Sequence, residues 1–213
     1  MIYKKYKQLD WDSKHSTIDS DNDYDKDSFV TGTINNNYFE DNIQKYHGLN
    51  IDKNKSFLDI GIGGGASGVG IKSRVNKIIG VDISSKSLEI SKNFYDELYL
   101  TDDINKIEPV DIAFSHLCIQ HNHEEEVIRI IDDVNIKDDG IFSFQFASLN
   151  PKKTVLSELI INDINRSMLY FYSSDKMKSM INLTDKKLIE ESGPFWFDDP
   201  FSFEWYIFRV VNK

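Results

Sequence analysis

The sequence predicts an α/β fold: a mostly parallel seven-stranded sheet with helices on both faces and an antiparallel strand at the C-terminal end. Three observations lead there. Short apolar runs alternate with helical patterns between residues 56 and 149, and such alternation implies right-handed crossovers between parallel strands. The first run ends in a glycine-rich turn. The last two runs are joined by Asp198–Ser202, a link far too short for a parallel crossover.

The elements follow in chain order. Residues 1–50 are polar and acidic, and the cluster Asp19–Asp25 favours turns over helix. Scattered aromatics, Trp11 and Tyr38 among them, mark this stretch as an arm that packs on the domain. Phe57–Ile60 is the first strand, followed by a short helix over Ser67–Val75. Lys77–Asp82 is the second strand. Ser84 or Ser85 caps the next helix, with Leu88, Ser91 and Tyr95 on one face. Glu97–Leu100 and Val110–Ser115 are strands three and four. Asn122 is the expected N-cap of a helix whose first turn holds Glu124, Glu125 and Glu126, and whose buried face holds Val127, Ile130, Ile131 and Val134. Asp139-Gly140 reads as a turn before a fifth strand, Ile141–Phe146. Residues 152–183 read as helical, with Leu156, Leu159, Ile160 and Ile164 on one face. Thr184–Gly193 reads as a further helix, capped at one end and closed by glycine at the other. Phe195–Phe197 and Glu204–Val211 are the final strand pair.

Composition narrows the function. Lys plus Arg number 25 against 35 Asp plus Glu, a net charge of -10. Non-specific nucleic-acid binding needs a basic footprint, and an anionic membrane repels this chain on average. Cys118 stands alone, so the chain has neither an internal disulfide nor a cysteine cluster for zinc. No apolar run reaches the roughly 18 residues of a membrane span. The charged N-terminus has no apolar segment after it, so a single domain over 1–213 in the cytoplasm is the expectation.

Gly61, Gly63 and Gly65 let the chain turn tightly and let a ligand lie against main-chain atoms. A dinucleotide or S-adenosylmethionine fits such a turn, and the turn by itself leaves both open. Asp82, at the end of the second strand, is placed to accept hydrogen bonds from ribose hydroxyls in either case.

At this point the chain resembles class I S-adenosylmethionine-dependent methyltransferases, over residues 56–149 most fully. Asp59-Ile-Gly61-Ile-Gly63-Gly-Gly65 is similar to the first motif of that family. Gly80-Val-Asp82-Ile83 is similar to the second, Thr101-Asp102-Asp103-Ile104 to the third, and Ser115–His121 to the motif at the fourth strand. The resemblance implies a Rossmann-like methyltransferase fold and S-adenosyl-L-methionine as cofactor. It implies that Asp59 anchors the turn or the donor's amino group, and that Asp82 holds the ribose with Ile83 beside it. Asp103, or else Asp102, would accept from the adenine amino group, and Ile104 would offer its backbone N–H. His116 would border the methyl group. His121, at the sheet edge where α/β folds bind ligands, is the candidate general base, because an imidazole takes up a proton near neutral pH.

His121-Asn-His123-Glu124 lacks a third ligand in view, so no metal is expected. Gln120 and Gln145 are candidates for orienting a polar acceptor. The chain has no Asp/Asn-Pro-Pro-Tyr/Phe sequence, which with its acidity favours a small-molecule or carbohydrate-like acceptor over nucleic acid. In the family, helices inserted after the fifth strand cover the acceptor pocket, which gives residues 150–183, with Tyr170, Tyr172, Met177 and Met180, a lid role. Trp11 and Tyr38 would close the other side, and Phe195 and Trp196 would be core. An NAD-dependent oxidoreductase using the same turn, a protein methyltransferase, and a binding module without activity remain as alternatives.

Overall fold

The computed structural model describes residues 11–13, 43–149, 170–195 and 203–213. The rest of the N-terminal arm with Tyr38, the stretch carrying Leu156, Leu159, Ile160 and Ile164, and Trp196 with the link to the last strand lie outside the described residues. Seven strands are hydrogen-bonded in the order β3-β2-β1-β4-β5-β7-β6. The chain packs as two compact units, Met1–Phe114 and Ser115–Lys213.

In the first unit β1 (Ser56–Ile60) pairs in parallel with β2 (Lys77–Asp82) and with β4 (Val110–Ser115), and β2 pairs in parallel with β3 (Glu97–Leu100). Phe57, Leu58, Ile78, Ile79, Val81, Ile112, Ala113 and Phe114 are all buried, as strands covered on both faces require. The start of β1 is tied to β4 through one carboxylate: Ser56 N and Oγ donate to Asp111 Oδ2 at 2.7 and 2.6 Å. Helix α1 spans Ala66–Ile71 and gives way to a 3-10 turn over Lys72–Arg74. Helix α2 spans Ser85–Ser91, and Ser84 is its cap, the side-chain oxygen accepting from Ser87 N at 3.1 Å. Of the expected face of α2, Ser91 and Tyr95 are buried, Tyr95 beyond the helix end, and Leu88 is half-buried; Ser87 is buried beside Ser91, and these small side chains let the helix lie close to the glycine turn.

In the second unit α3 (Glu124–Asp133) buries Glu126, Val127, Ile130 and Ile131. Its N-cap is His123 rather than Asn122, whose Nδ2 donates to Cys118 O at 2.9 Å and so closes the turn before the helix. Strand β5 runs over Ile136–Leu149, fourteen residues, straight through the expected Asp139-Gly140 turn. Gly140 is buried in the strand, and the left-handed backbone that a tight hairpin turn demands is not adopted there. Within the described part of 152–183, helix α4 covers Ser174–Asn182, and Tyr170–Ser173 are not helical.

The second correction concerns Thr184–Gly193. Instead of a helix the chain forms β6 (Lys186–Phe195), antiparallel to β7 (Phe203–Asn212), which is itself antiparallel to β5. Thr184 ends α4 rather than starting a helix: its Oγ1 donates to Ile181 O at 2.8 Å and accepts from Lys186 N at 3.1 Å. The ladder on β7 overrides local helix preference, as tertiary pairing routinely does. Lys187, Glu190 and Glu191 project to solvent from this edge strand, which protects it against pairing with other chains. Gly193 has φ 126° at a register shift, and a Cβ there would lie 2.7 Å from Trp205 O. Between β5 and β7, Phe144, Phe146 and Phe208 form an aromatic core, with Phe146 edge-on to Phe208 at 4.9 Å. Phe195, expected in the core, is half-buried.

Candidate functional site

The glycine turn leaves β1 with Gly61, Gly63 and Gly65 at φ 82°, 51° and 87°, values that side chains disfavour. Gly65 also admits no Cβ, which would lie 2.8 Å from both Phe94 Cδ2 and Ser91 Oγ. Gly63 is held from both sides. Its N–H donates to Asp82 Oδ2 at 3.0 Å, and its carbonyl accepts from Ser87 Oγ and, at 3.2 Å, from Ser91 Oγ. The other oxygen of Asp82 accepts from Ser84 N at 2.8 Å. Both oxygens of this strand-end carboxylate are thus aimed by backbone groups.

Asp59 precedes the turn and is 2% exposed. Burial pushes its carboxyl up to about 7, and the charge of Asp82 adds to the rise; hydrogen bonds from Tyr95 and Ser67 oppose it. Tyr95 Oη donates to Asp59 Oδ2 at 2.7 Å. The ring of Tyr95 lies on the bare face of Gly68, where a Cβ would be 2.7 Å from Cε2 and Cζ. Gly68 is therefore an obligate close approach that fixes where the Tyr95 hydroxyl points.

The third-motif residues lie on a 3-10 turn over Thr101–Lys106 after β3. Asp103 Oδ1 meets Lys106 Nζ at 2.6 Å, Asp102 is exposed, and the buried Ile104 side chain anchors the turn. Ile83, next to Asp82, is half-buried. The first unit therefore brings together Asp59, Gly61, Gly63, Gly65 and Asp82.

In the second unit the residues after β4 make a compact turn. Leu117 has φ 54°, a left-handed conformation costly for a leucine, and its N–H donates to Gln145 Oε1 at 3.3 Å. His116 is half-buried, and desolvation pushes its imidazole down to about 4, so the ring is neutral at physiological pH. His121 ends a 3-10 turn over Ile119–His121 and is 5% exposed. Residues 170–172 lie across this turn: Tyr170 N donates to Gln120 O at 2.6 Å and Tyr172 Oη to Asn122 O at 2.6 Å. Gln120 is fully buried, and neither amide atom finds a partner among the described residues.

Sequence reasoning missed Tyr95 and the serines behind the turn as site residues. Ser84, Ser87 and Ser91 recur at helical spacing, three and four apart, and that polar stripe was the available signal. It also missed Asp12, whose Oδ1 accepts from Ser84 Oγ at 2.6 Å, since nothing local in the arm pointed to that contact.

No family model matches the chain, and no curated protein is similar to it in sequence. Solved structures share its fold. One is a chain in the complex between the Haloferax volcanii Trm112 methyltransferase activator and a putative methyltransferase, at 12% identity and TM-score 0.67, covering 95% of this chain and 97% of that one. A second is magnesium protoporphyrin IX methyltransferase from Synechocystis with S-adenosylhomocysteine bound, at 14% identity and TM-score 0.61, covering 100% and 99%. A third is geranyl diphosphate C-methyltransferase from Streptomyces coelicolor with S-adenosylhomocysteine bound, at 11% identity and TM-score 0.59, covering 76% and 71%. The chain has the Rossmann-like fold of the class I S-adenosylmethionine-dependent methyltransferases.

Proposed function

We propose that the chain, as one domain over residues 1–213, is an S-adenosylmethionine-dependent methyltransferase. It moves a methyl group to an oxygen or nitrogen of a small polar acceptor in the cytoplasm, a sugar or glycan precursor being one such class. The observation that carries this reading is the buried pair of carboxylates at the glycine turn. Asp59 is raised to about 7 partly by the charge of Asp82. A ligand bearing an ammonium and a sulfonium relieves that repulsion, whereas the pyrophosphate of a dinucleotide adds to it. Helix α1, with six residues, offers little dipole to offset an anion.

The donor, when bound, supplies a methyl group already activated by its positive sulfur. The chain's own residues bind and orient. Asp82 accepts from the ribose diol, with its oxygens pre-aimed by Gly63 N and Ser84 N. Asp59 neutralises positive charge beside the turn. Asp103, or Asp102, and the backbone of Ile104 take the adenine, and His116 borders the methyl group. His121 takes the proton when the acceptor is a hydroxyl; an amine acceptor needs alignment more than a base. The neighbours' acceptors, a porphyrin in one and geranyl diphosphate in another, differ so widely that the fold does not select among them.

Calorimetric titration with S-adenosylmethionine, S-adenosylhomocysteine and NAD tests the reading, with Asp82→Ala in parallel. Micromolar binding of the first two, lost in the variant, is expected. Binding of NAD and neither adenosyl compound would overturn it.

A further inference from the structure

Four hydrogen bonds close a ring behind the glycine turn. Gly63 N donates to Asp82 Oδ2 at 3.0 Å, and Ser84 N donates to Asp82 Oδ1 at 2.8 Å. Ser87 N donates to Ser84 Oγ at 3.1 Å, and Ser87 Oγ donates to Gly63 O. Ser84, Ser87 and Ser91 are fully buried. The ring joins the Gly63 peptide and the Asp82 carboxylate through the backbone of Ser84 and the hydroxyls of Ser87 and Ser84, and the Ser84 hydroxyl also reaches outside it.

That hydroxyl has one proton. Ser84 Oγ already accepts from Ser87 N, so its proton needs an acceptor of its own. Asp12 Oδ1 is that acceptor at 2.6 Å, and it accepts from Lys86 N at 3.2 Å as well. Asp12 sits on a single helical turn with Trp11, 72 residues before its partner. A residue of the N-terminal arm therefore completes the frame that aims Asp82.

We propose that Asp12 is a positioning residue of the donor site, acting through Ser84 on the geometry of Asp82 and Gly63, so that docking of residues 11–13 and binding of an adenosyl ligand strengthen each other. The inference rests on the reading of the turn as the donor site. Without Asp12 the Ser84 hydroxyl loses the carboxylate that orients its proton. The ring then loses its link to residues 11–13, and the diol-binding carboxylate samples more orientations. The ligand class is a ribonucleoside with both hydroxyls present.

The test is calorimetric binding of S-adenosylhomocysteine and of adenosine to the full chain and to Asp12→Ala, Asp12→Asn, Ser84→Ala and the Asp12→Ala/Ser84→Ala double variant. Asp12→Ala is expected to weaken both ligands about tenfold, the equivalent of one lost charge-assisted hydrogen bond. Asp12→Asn keeps the accepting oxygen and is expected to stay within about threefold of the parent. In the Ser84→Ala background, removing Asp12 should have no further effect, because the contact it acts through is gone. A residue that merely stabilised the fold would instead give additive losses. Additive losses, an Asn variant as weak as the Ala variant, or an Ala variant that binds like the parent would each overturn the proposal. Failure of the parent chain to bind either ligand would overturn the donor reading itself.

Discussion

Tyr95 donates a hydrogen bond to Asp59 Oδ2 at 2.7 Å, and both residues are buried, at 3% and 2% exposure. The pair links the segment between α2 and β3 to the C-terminal end of β1. Its hydrogen bond favours the ionised carboxylate and opposes the larger effect of burial, which favours the protonated one.

Donor affinity should rise with pH through about 7. Asp59 is held protonated by burial and by Asp82, with its carboxyl raised to about 7. A cationic ligand favours the ionised form, so binding releases a proton wherever Asp59 is protonated in the free protein. Calorimetry in two buffers of different ionisation heat should show that release at pH 6 and its disappearance at pH 8.5. Asp59→Asn should abolish the buffer dependence. A flat profile in the parent would mean that Asp59 does not meet positive charge.

Stability of the ligand-free protein should fall over the same range. Asp59 binds its proton more tightly folded than unfolded, so its contribution is fully present below about pH 4 and is lost as pH rises through about 7. The span corresponds to roughly 4 kcal/mol at most, since one pKa unit is about 1.4 kcal/mol. Urea denaturation of parent and Asp59→Asn should show the variant gaining on the parent from pH 5 to pH 8.

Tyr95→Phe should move the Asp59 midpoint upward, because the tyrosine bond is the larger of the two that stabilise the carboxylate. Gly68→Ala acts on the same pair by a different route. Its methyl would meet the Tyr95 ring at 2.7 Å, so the ring must shift, at a cost of about 1–3 kcal/mol for overpacking. Thermal melts report the loss, and the proton-release midpoint reports whether the hydroxyl has left Asp59.

Gln120→Leu should stabilise the protein by about 1–2 kcal/mol, because the substitution removes a buried amide with no partner among the described residues. The gain is read from the urea midpoint. A loss of similar size would show that the amide is bonded in solution.

Much of this architecture is legible without coordinates. β1, β2 and β4 are continuous apolar runs bounded by turn residues, and their limits match the expected ones to within a residue. Ser84 as a cap and the antiparallel end of the sheet are legible for the same reason: capping chemistry and link length are local facts. Thr184–Gly193 reads wrongly because its local signals are those of a helix, while the unpaired edge of β7 that claims it is formed by residues further along the chain. Asp139-Gly140 fails likewise: β5 runs through it as extended chain and enters its ladder with β7 from Phe142 onward.

By itself, then, the sequence determined the alternation of elements, the glycine turn, and the acids placed before and after it, because each is written in the spacing of neighbouring residues. The tertiary structure decided the rest. It chose which strand edge stayed open for β6, raised Asp59 by burying it, set a tyrosine 36 positions away against it as a hydrogen-bond donor, and brought Asp12 to Ser84 across 72. Desolvation and long-range hydrogen bonds depend on what folds against a group, and that is a property of the whole chain rather than of any segment of it.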